Sequence, residues 1–161
     1  MTTKFTLSQN DQETYKDIPI LHITRNDKYA SLPLLITCDN GKKAIIPTYK
    51  DAMRGFAPDY FKIFYEEGTN FREKMHKDGE LYHIKIPGLK DPEIVANYIQ
   101  ILDRFNSDED LDYEKLDLTL ENCLEFYCNS TFWQHTDISK IIVSYINENF
   151  NFVLLSKAVY E

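Results

Sequence analysis

Three sets of side chains in this 161-residue chain have the types and spacing that chemistry needs. Asp108, Asp110, Asp112 and Glu114 stand at alternate positions, as the oxygen donors of a calcium loop do. Such a loop needs glycine at its sixth position and a bidentate glutamate at its twelfth, and here those places hold Tyr113 and Thr119. The run reads as solvated charge. Cys123, Cys128 and His135 are soft ligands of the kind zinc takes. A helix would point the two thiols, five residues apart, in different directions, so they read as core thiols. His22, His76, His83 and His135 fall in unrelated segments and single out no catalytic assembly. The five glycines, at 41, 55, 68, 79 and 88, are too dispersed for a phosphate-binding loop, and no nucleophile elbow is present. Trp133 and the Phe/Tyr stripes read as core, with Trp133 also a candidate anchor for a partner. The expectation is a chain without catalytic, cofactor-binding or metal-binding residues.

Composition narrows the class. At 43% hydrophobic, the chain has enough apolar material for one core in one domain. The net charge of -8 and the lack of a Lys/Arg cluster argue against nucleic acid and anionic membranes as partners. Apolar runs such as residues 152–155 are far too short to cross a bilayer. The first five residues hold no apolar stretch of the kind a secretory signal needs. Three cysteines, an odd number, suit a reducing compartment. A cytoplasmic or nuclear location is expected.

The elements that must position these residues follow from pattern. Residues 1–17 are mostly polar and read as a loose arm. Residues 18–23 (IPILHI) read as a strand, placed at an edge by Pro19. The division expected is an N-terminal arm over 1–30 carrying a dimerisation strand, then a domain over 31–161. Residues 32–37 (LPLLIT) and 42–47 (KKAIIP) flank Asn40-Gly41, a hairpin signal. A helix is predicted from Thr48 as its cap, ended by Gly55. A second opens at Ala57-Pro58-Asp59, with Tyr60, Phe61, Phe64 and Tyr65 at helical spacing. Residues 82–86 (YHIKI) alternate and read as a strand. Asp91-Pro92 opens a helix striped by Ile94, Val95, Tyr98, Ile101, Leu102 and Phe105. Residues 106–112 are an acidic loop. A helix begins at Thr119 and Asn122, with Leu120, Cys123, Leu124, Tyr127 and Cys128 as its buried side. Asp137 caps another, with Ile138, Ile141, Ile142, Tyr145 and Ile146 on one face, and residues 151–160 begin one more. Strands come early and helices late, which points to α+β.

Several stretches then fall into one known pattern. Residues 45–50 (IIPTYK) stand where "hydrophobic-x-x-His-Lys" is usual, with Tyr49 for His. Residues 58–64 (PDYFKIF) are similar to "S-x-Y-F-x-x-M-F" with one residue fewer after Phe61, and Ile63 stands for Met. Residues 119–126 (TLENCLEF) match "T-x-E-N-h-h-E-h". In order and spacing, from residue 32 to residue 160, the chain resembles the BTB/POZ domain, whose superfamily includes the Skp-type adaptors and elongin C. Ser31-Leu32-Pro33-Leu34-Leu35 stands where the family often has "D-V-x-h".

The resemblance implies an α+β fold. A short N-terminal β-hairpin plus a third strand packs on a cluster of helices, and the C-terminal part is helical. It implies a non-catalytic adaptor for protein partners that forms a homodimer, recruits a cullin ubiquitin-ligase scaffold, or both. Phe71-Arg72-Glu73 is similar to the family's "hydrophobic-x-Glu" cullin motif. Phe71 and Glu73, with Tyr60 and Phe64, are the partner-binding residues it implies, and Ile18, Ile20 and Ile23 the dimerisation residues. The alternatives are a small hydrolase or transferase built from dispersed residues, or a structural component of a larger particle. An enclosed polar pocket with paired titratable groups would favour an enzyme, and a flat or grooved apolar surface a binding module.

Overall fold

The computed structural model describes residues 3–62, 81–104 and 116–149. Its elements run α1 (Gln9–Thr14), β1 (Leu32–Thr37), β2 (Lys43–Thr48), α2 (Lys50–Phe56), α3 (Pro58–Phe61), β3 (Tyr82–Lys85), α4 (Glu93–Arg104), α5 (Cys123–Phe132) and α6 (Thr136–Asn149). The class is α+β, as the order of apolar patterns predicts.

The hairpin forms where Asn40-Gly41 places it. Gly41 takes φ +86° and its N–H donates to Cys38 O at 3.0 Å, so a left-handed glycine closes the turn. The Cys38 N–H donates to Lys42 O at 2.8 Å, and pairing then alternates down the ladder. Pro33 and Pro47 stand opposite each other in this register, on a pair that exchanges no N–H bonds. The sheet order is β2-β1-β3, with β3 parallel to β1.

The strands are apolar on both faces because both faces are covered. Leu32, Leu34, Ile36 and Ile46 enter the main core with the helices. Leu35 and Ile45 enter a second cluster with Phe5 and Ala30, against which Leu7, Tyr15, Ile18, Ile20 and Leu81 pack. The N-terminal segment is therefore a layer of the fold, not the loose arm expected from its polarity. It also covers the β2 edge: Ile45 N–H donates to Pro19 O at 2.9 Å, and Leu21 N–H to Ile45 O at 2.8 Å.

Local signals and tertiary context share the helix starts. Thr48 does not cap α2. It is buried in β2 and its hydroxyl donates to Leu32 O. Ser31 Oγ, from the neighbouring strand's approach, accepts the Lys50 N–H at 2.9 Å instead. Gly55 lies within α2, which runs on to Phe56. Pro58 occupies the first turn of α3, as expected. Asp91 Oδ1 accepts the Glu93 N–H at 3.0 Å at the start of α4. Before α5, Thr119 Oγ1 accepts the Asn122 N–H at 3.2 Å, and Asn122 Oδ1 accepts the Thr119 N–H at 2.7 Å. That reciprocal pair is a capping box.

Two buried faces differ from expectation. α4 buries Val95, Ala96, Tyr98 and Ile99, while Ile94, Ile101 and Leu102 are half-buried. Its stripe is thus turned by about one residue, and Phe105 lies outside the described residues. α5 differs more: Cys123, Phe126, Asn129 and Ser130 are buried, and Leu120, Leu124 and Tyr127 are exposed. α6 buries Ile138 and Ile142 as predicted. Among the described residues no helix is long and apolar enough to cross a membrane.

Candidate functional site

The C-terminal end of β2 delivers Pro47 and Thr48, and α2 departs from there. Ala52 and Gly55, three residues apart, leave a depression in α2 rather than filling it. Met53 and Phe56 from α2, Ile99 and Leu102 from α4, and Ile138 from α6 form the walls of a groove of about 250 Å³. Ile23 joins them from the N-terminal segment.

His135 stands at the inner end of this groove, between α5 and α6. Its Nε2–H donates to the Phe56 carbonyl at 2.7 Å, so Nδ1 is the acceptor and takes the Tyr98 hydroxyl proton. The Phe56 ring meets the imidazole edge-on, centroids 4.9 Å apart. Burial pushes the imidazole below the usual histidine range, against weaker opposition from the Phe56 carbonyl and the Asp59 charge. Burial raises the Tyr98 hydroxyl above the usual tyrosine range. Both imidazole nitrogens are thus committed within the protein, and neither faces the groove as a base or a metal ligand.

Beneath lies an aromatic cluster around Trp133, which is fully buried. Phe61 stacks on it at 5.9 Å, and Phe56 and Tyr60 meet it edge-on at 5.4 and 5.0 Å. Trp133 is therefore core, and not a surface anchor. Among the described residues, its Nε1 and the Asn129 Oδ1 lack hydrogen-bond partners. Tyr60 is half-buried and its hydroxyl donates to Tyr82. Burial, then that donated bond, holds the Tyr60 hydroxyl above the usual tyrosine range.

The remaining sequence-derived sites distribute as follows. Ile18 and Ile20 pack half-buried on the second cluster, and Ile23 on the main core, all within their own chain. Phe64, Phe71 and Glu73 lie outside the described residues, as do His76 and the acidic run of Asp108, Asp110, Asp112 and Glu114. Cys123 and Cys128 do not join His135, and no group of three or more potential metal ligands occurs among the described residues. All three cysteines are free. Burial, reinforced by Asp91, Glu125 and Asp39, pushes the Cys38 thiol up to about 11, which makes it an inert core group. His22 Nδ1 pairs with the Asp27 carboxylate at 2.7 Å, and His83 Nε2 lies 3.5 Å from the Tyr15 hydroxyl.

Sequence reasoning missed the groove. Its one local signal was the pair of small residues, Ala52 and Gly55, on a helix otherwise bearing large side chains. Compared with known proteins, the chain matches no family model, no curated protein and no solved structure.

Proposed function

We propose that the chain is a non-catalytic protein–protein interaction module of the BTB/POZ type, acting in the cytoplasm or nucleus. Within that class, its role is an adaptor that self-associates or engages a cullin scaffold. The order of elements carries the assignment: hairpin, two helices, third strand, amphipathic helix, then helices to the end of the described residues. These occupy the same stretches from which the resemblance was drawn, and residues 93–104 are helix. A binding role, in preference to catalysis, is supported by the groove. Its walls are mainly apolar, and its inner imidazole is tied to Tyr98 and Phe56. An apolar recess of this kind suits one large side chain of a partner.

The test is a calorimetric titration of the purified BTB-binding cullin N-terminal domain into the full chain and into Phe71→Ala, with sedimentation of the chain alone. Expected are saturable binding by the wild type and at least about tenfold weakening in the variant, as for loss of an aromatic anchor. No binding by the wild type, or equal binding by both, removes the cullin role. A monomer at micromolar concentration removes self-association. Both negatives together leave the adaptor reading without support.

A further inference from the structure

α5 presents a partly exposed apolar stripe. Leu120, Leu124 and Tyr127 stand four and three residues apart and are exposed by 44%, 42% and 39%. Helical hydrogen bonding already begins at Thr119, whose carbonyl accepts the Cys123 N–H at 3.0 Å, so Leu120 shares the helical register. The three side chains therefore fall on one face. Cys123, three residues after Leu120 and four before Tyr127, turns into the core with Phe126 and Ser130, so the stripe runs along the margin of the buried face. Rotation is prevented from both ends. The capping box holds the start, and Ser130 Oγ bonds Ser139 Oγ of α6 at 2.6 Å.

The charged side chains of α5 and of the turn before it are of one sign. Between residues 116 and 132 the chain carries Asp117, Glu121 and Glu125 and no Lys or Arg. Asp117 and Glu121 are exposed. Glu125, half-buried, accepts the Lys90 N–H at 2.9 Å, on the side of α5 away from Tyr127. A second copy of this face would bring acid against acid, and an anionic lipid surface would be repelled likewise.

We infer that Leu120, Leu124 and Tyr127 form a docking face for an amphipathic helix of another protein, whose apolar ridge is edged by Lys and Arg. The inference rests on the interaction-module reading and adds the chemistry of a partner. An apolar ridge seats between Leu124 and Tyr127, and basic side chains reach Asp117 and Glu121 at the rim. Apolar contact supplies affinity, and the acidic rim selects among helices of similar apolar content.

The experiment uses the full chain and two designed peptides of about 20 residues, long enough to hold helix. Both carry the same leucine ridge, one edged by Lys and Arg, the other by Glu. Fluorescence anisotropy should show the basic peptide binding at least about tenfold more tightly, with the difference shrinking as salt rises beyond about 0.15 M. Leu124→Glu and Tyr127→Glu, at exposed positions, should each weaken binding about tenfold or more while the thermal transition stays in place. Asp117→Lys with Glu121→Lys should reverse the preference between peptides. Ala52→Arg, which fills the groove between α2 and α4, should leave peptide affinity unchanged. Equal binding of both peptides, binding of neither, or indifference to Leu124→Glu overturns the proposal. Loss of peptide binding in Ala52→Arg also overturns it, moving the peptide to the groove and leaving the interaction module intact. A dimer of the chain that Leu124→Glu abolishes would assign the stripe to a second copy.

Discussion

The fully buried Asp27 carboxylate accepts the Phe5 N–H at 2.6 Å, across 22 residues of sequence. Its other oxygen meets His22 Nδ1 at 2.7 Å. The Asp27 and Lys28 N–H groups donate back to Thr3 O at 3.1 and 3.0 Å. One turn thus binds the start of the chain on both its donor and acceptor sides. Phe5 is carried into the cluster that covers Leu35 and Ile45. The second face of the sheet depends on this clasp.

Asp27→Ala is expected to lower stability by on the order of 3 kcal/mol, because it strands a buried N–H and unpairs His22. Urea denaturation measures the loss. Hydrogen exchange should rise first at Phe5, Leu21 and Ile45, whose amides face this layer. Unchanged protection there would show that the segment holds the sheet without Asp27.

Gly88 is required by its backbone and by its neighbour. It takes φ +88°, and a Cβ built on it would lie 2.5 Å from Cys128 Sγ. Its N–H also donates to Asp39 Oδ2 at 2.8 Å, joining the hairpin turn to the loop after β3. Gly88→Ala should cost about 1–2 kcal/mol from the left-handed conformation and a further 1–3 kcal/mol from overpacking. Adding Cys128→Ala removes the sulfur and should recover only the second part. A double-mutant cycle by urea denaturation reads the coupling, and additive losses would show that the contact is not limiting.

The hairpin was legible because its signals are local. Asn40-Gly41 closes it, and the unbroken apolar runs on either side are what a sheet covered twice needs. What covered the second face was not legible. Phe5, Tyr15 and Ile18 are single apolar residues in a polar stretch, gathered by the Asp27 clasp at one end and by the Pro19–Ile45 and Leu21–Ile45 backbone bonds at the other. Ser31 as the cap of α2 was hidden for the same reason, since it lies 19 residues before Lys50. Thr48 had the right type and position, but β2 claimed it.

The buried face of α5 misled because apolar residues lie around most of its circumference. Leu120, Cys123, Leu124, Phe126, Tyr127 and Cys128 offer more than one stripe, and the true one includes two polar residues. Asn129 and Ser130 are buried yet bonded locally, Asn129 Nδ2 to Glu125 O at 3.1 Å and Ser130 Oγ to Tyr127 O at 3.0 Å. Such locally bonded side chains defeat a count of apolar positions. The groove escaped because its walls come from four separate segments.

The Tyr98–His135–Phe56 chain makes stability depend on pH. The folded imidazole sits below its ordinary 6.5, because burial disfavours the cation. The unfolded chain therefore takes the proton first as pH falls. His135's contribution is complete above about 6.5 and is lost as pH drops through its lower folded value. Guanidinium midpoints should fall between pH 7.5 and 5.5, and fall less in His135→Gln. His22, His76 and His83 are present in both proteins, so the difference between them belongs to His135. Equal pH dependence in both would show that the buried imidazole is not the sensor.

The two faces of α5 should respond differently to truncation. Phe126 is 2% exposed and its ring lies 5.8 Å from that of Tyr98, so Phe126→Ala opens a cavity in the main core. A loss of about 3–5 kcal/mol is expected. Leu124 is 42% exposed, one helical turn after Leu120 and outside the core cluster. Leu124→Ala removes little packing and keeps a strong helix former, so a change within about 0.5 kcal/mol is expected. Urea midpoints for the two variants give the comparison directly. A large loss at Leu124 together with a small one at Phe126 would mean that the helix is turned the other way. The stripe would then be core, and the docking face would have to be sought elsewhere.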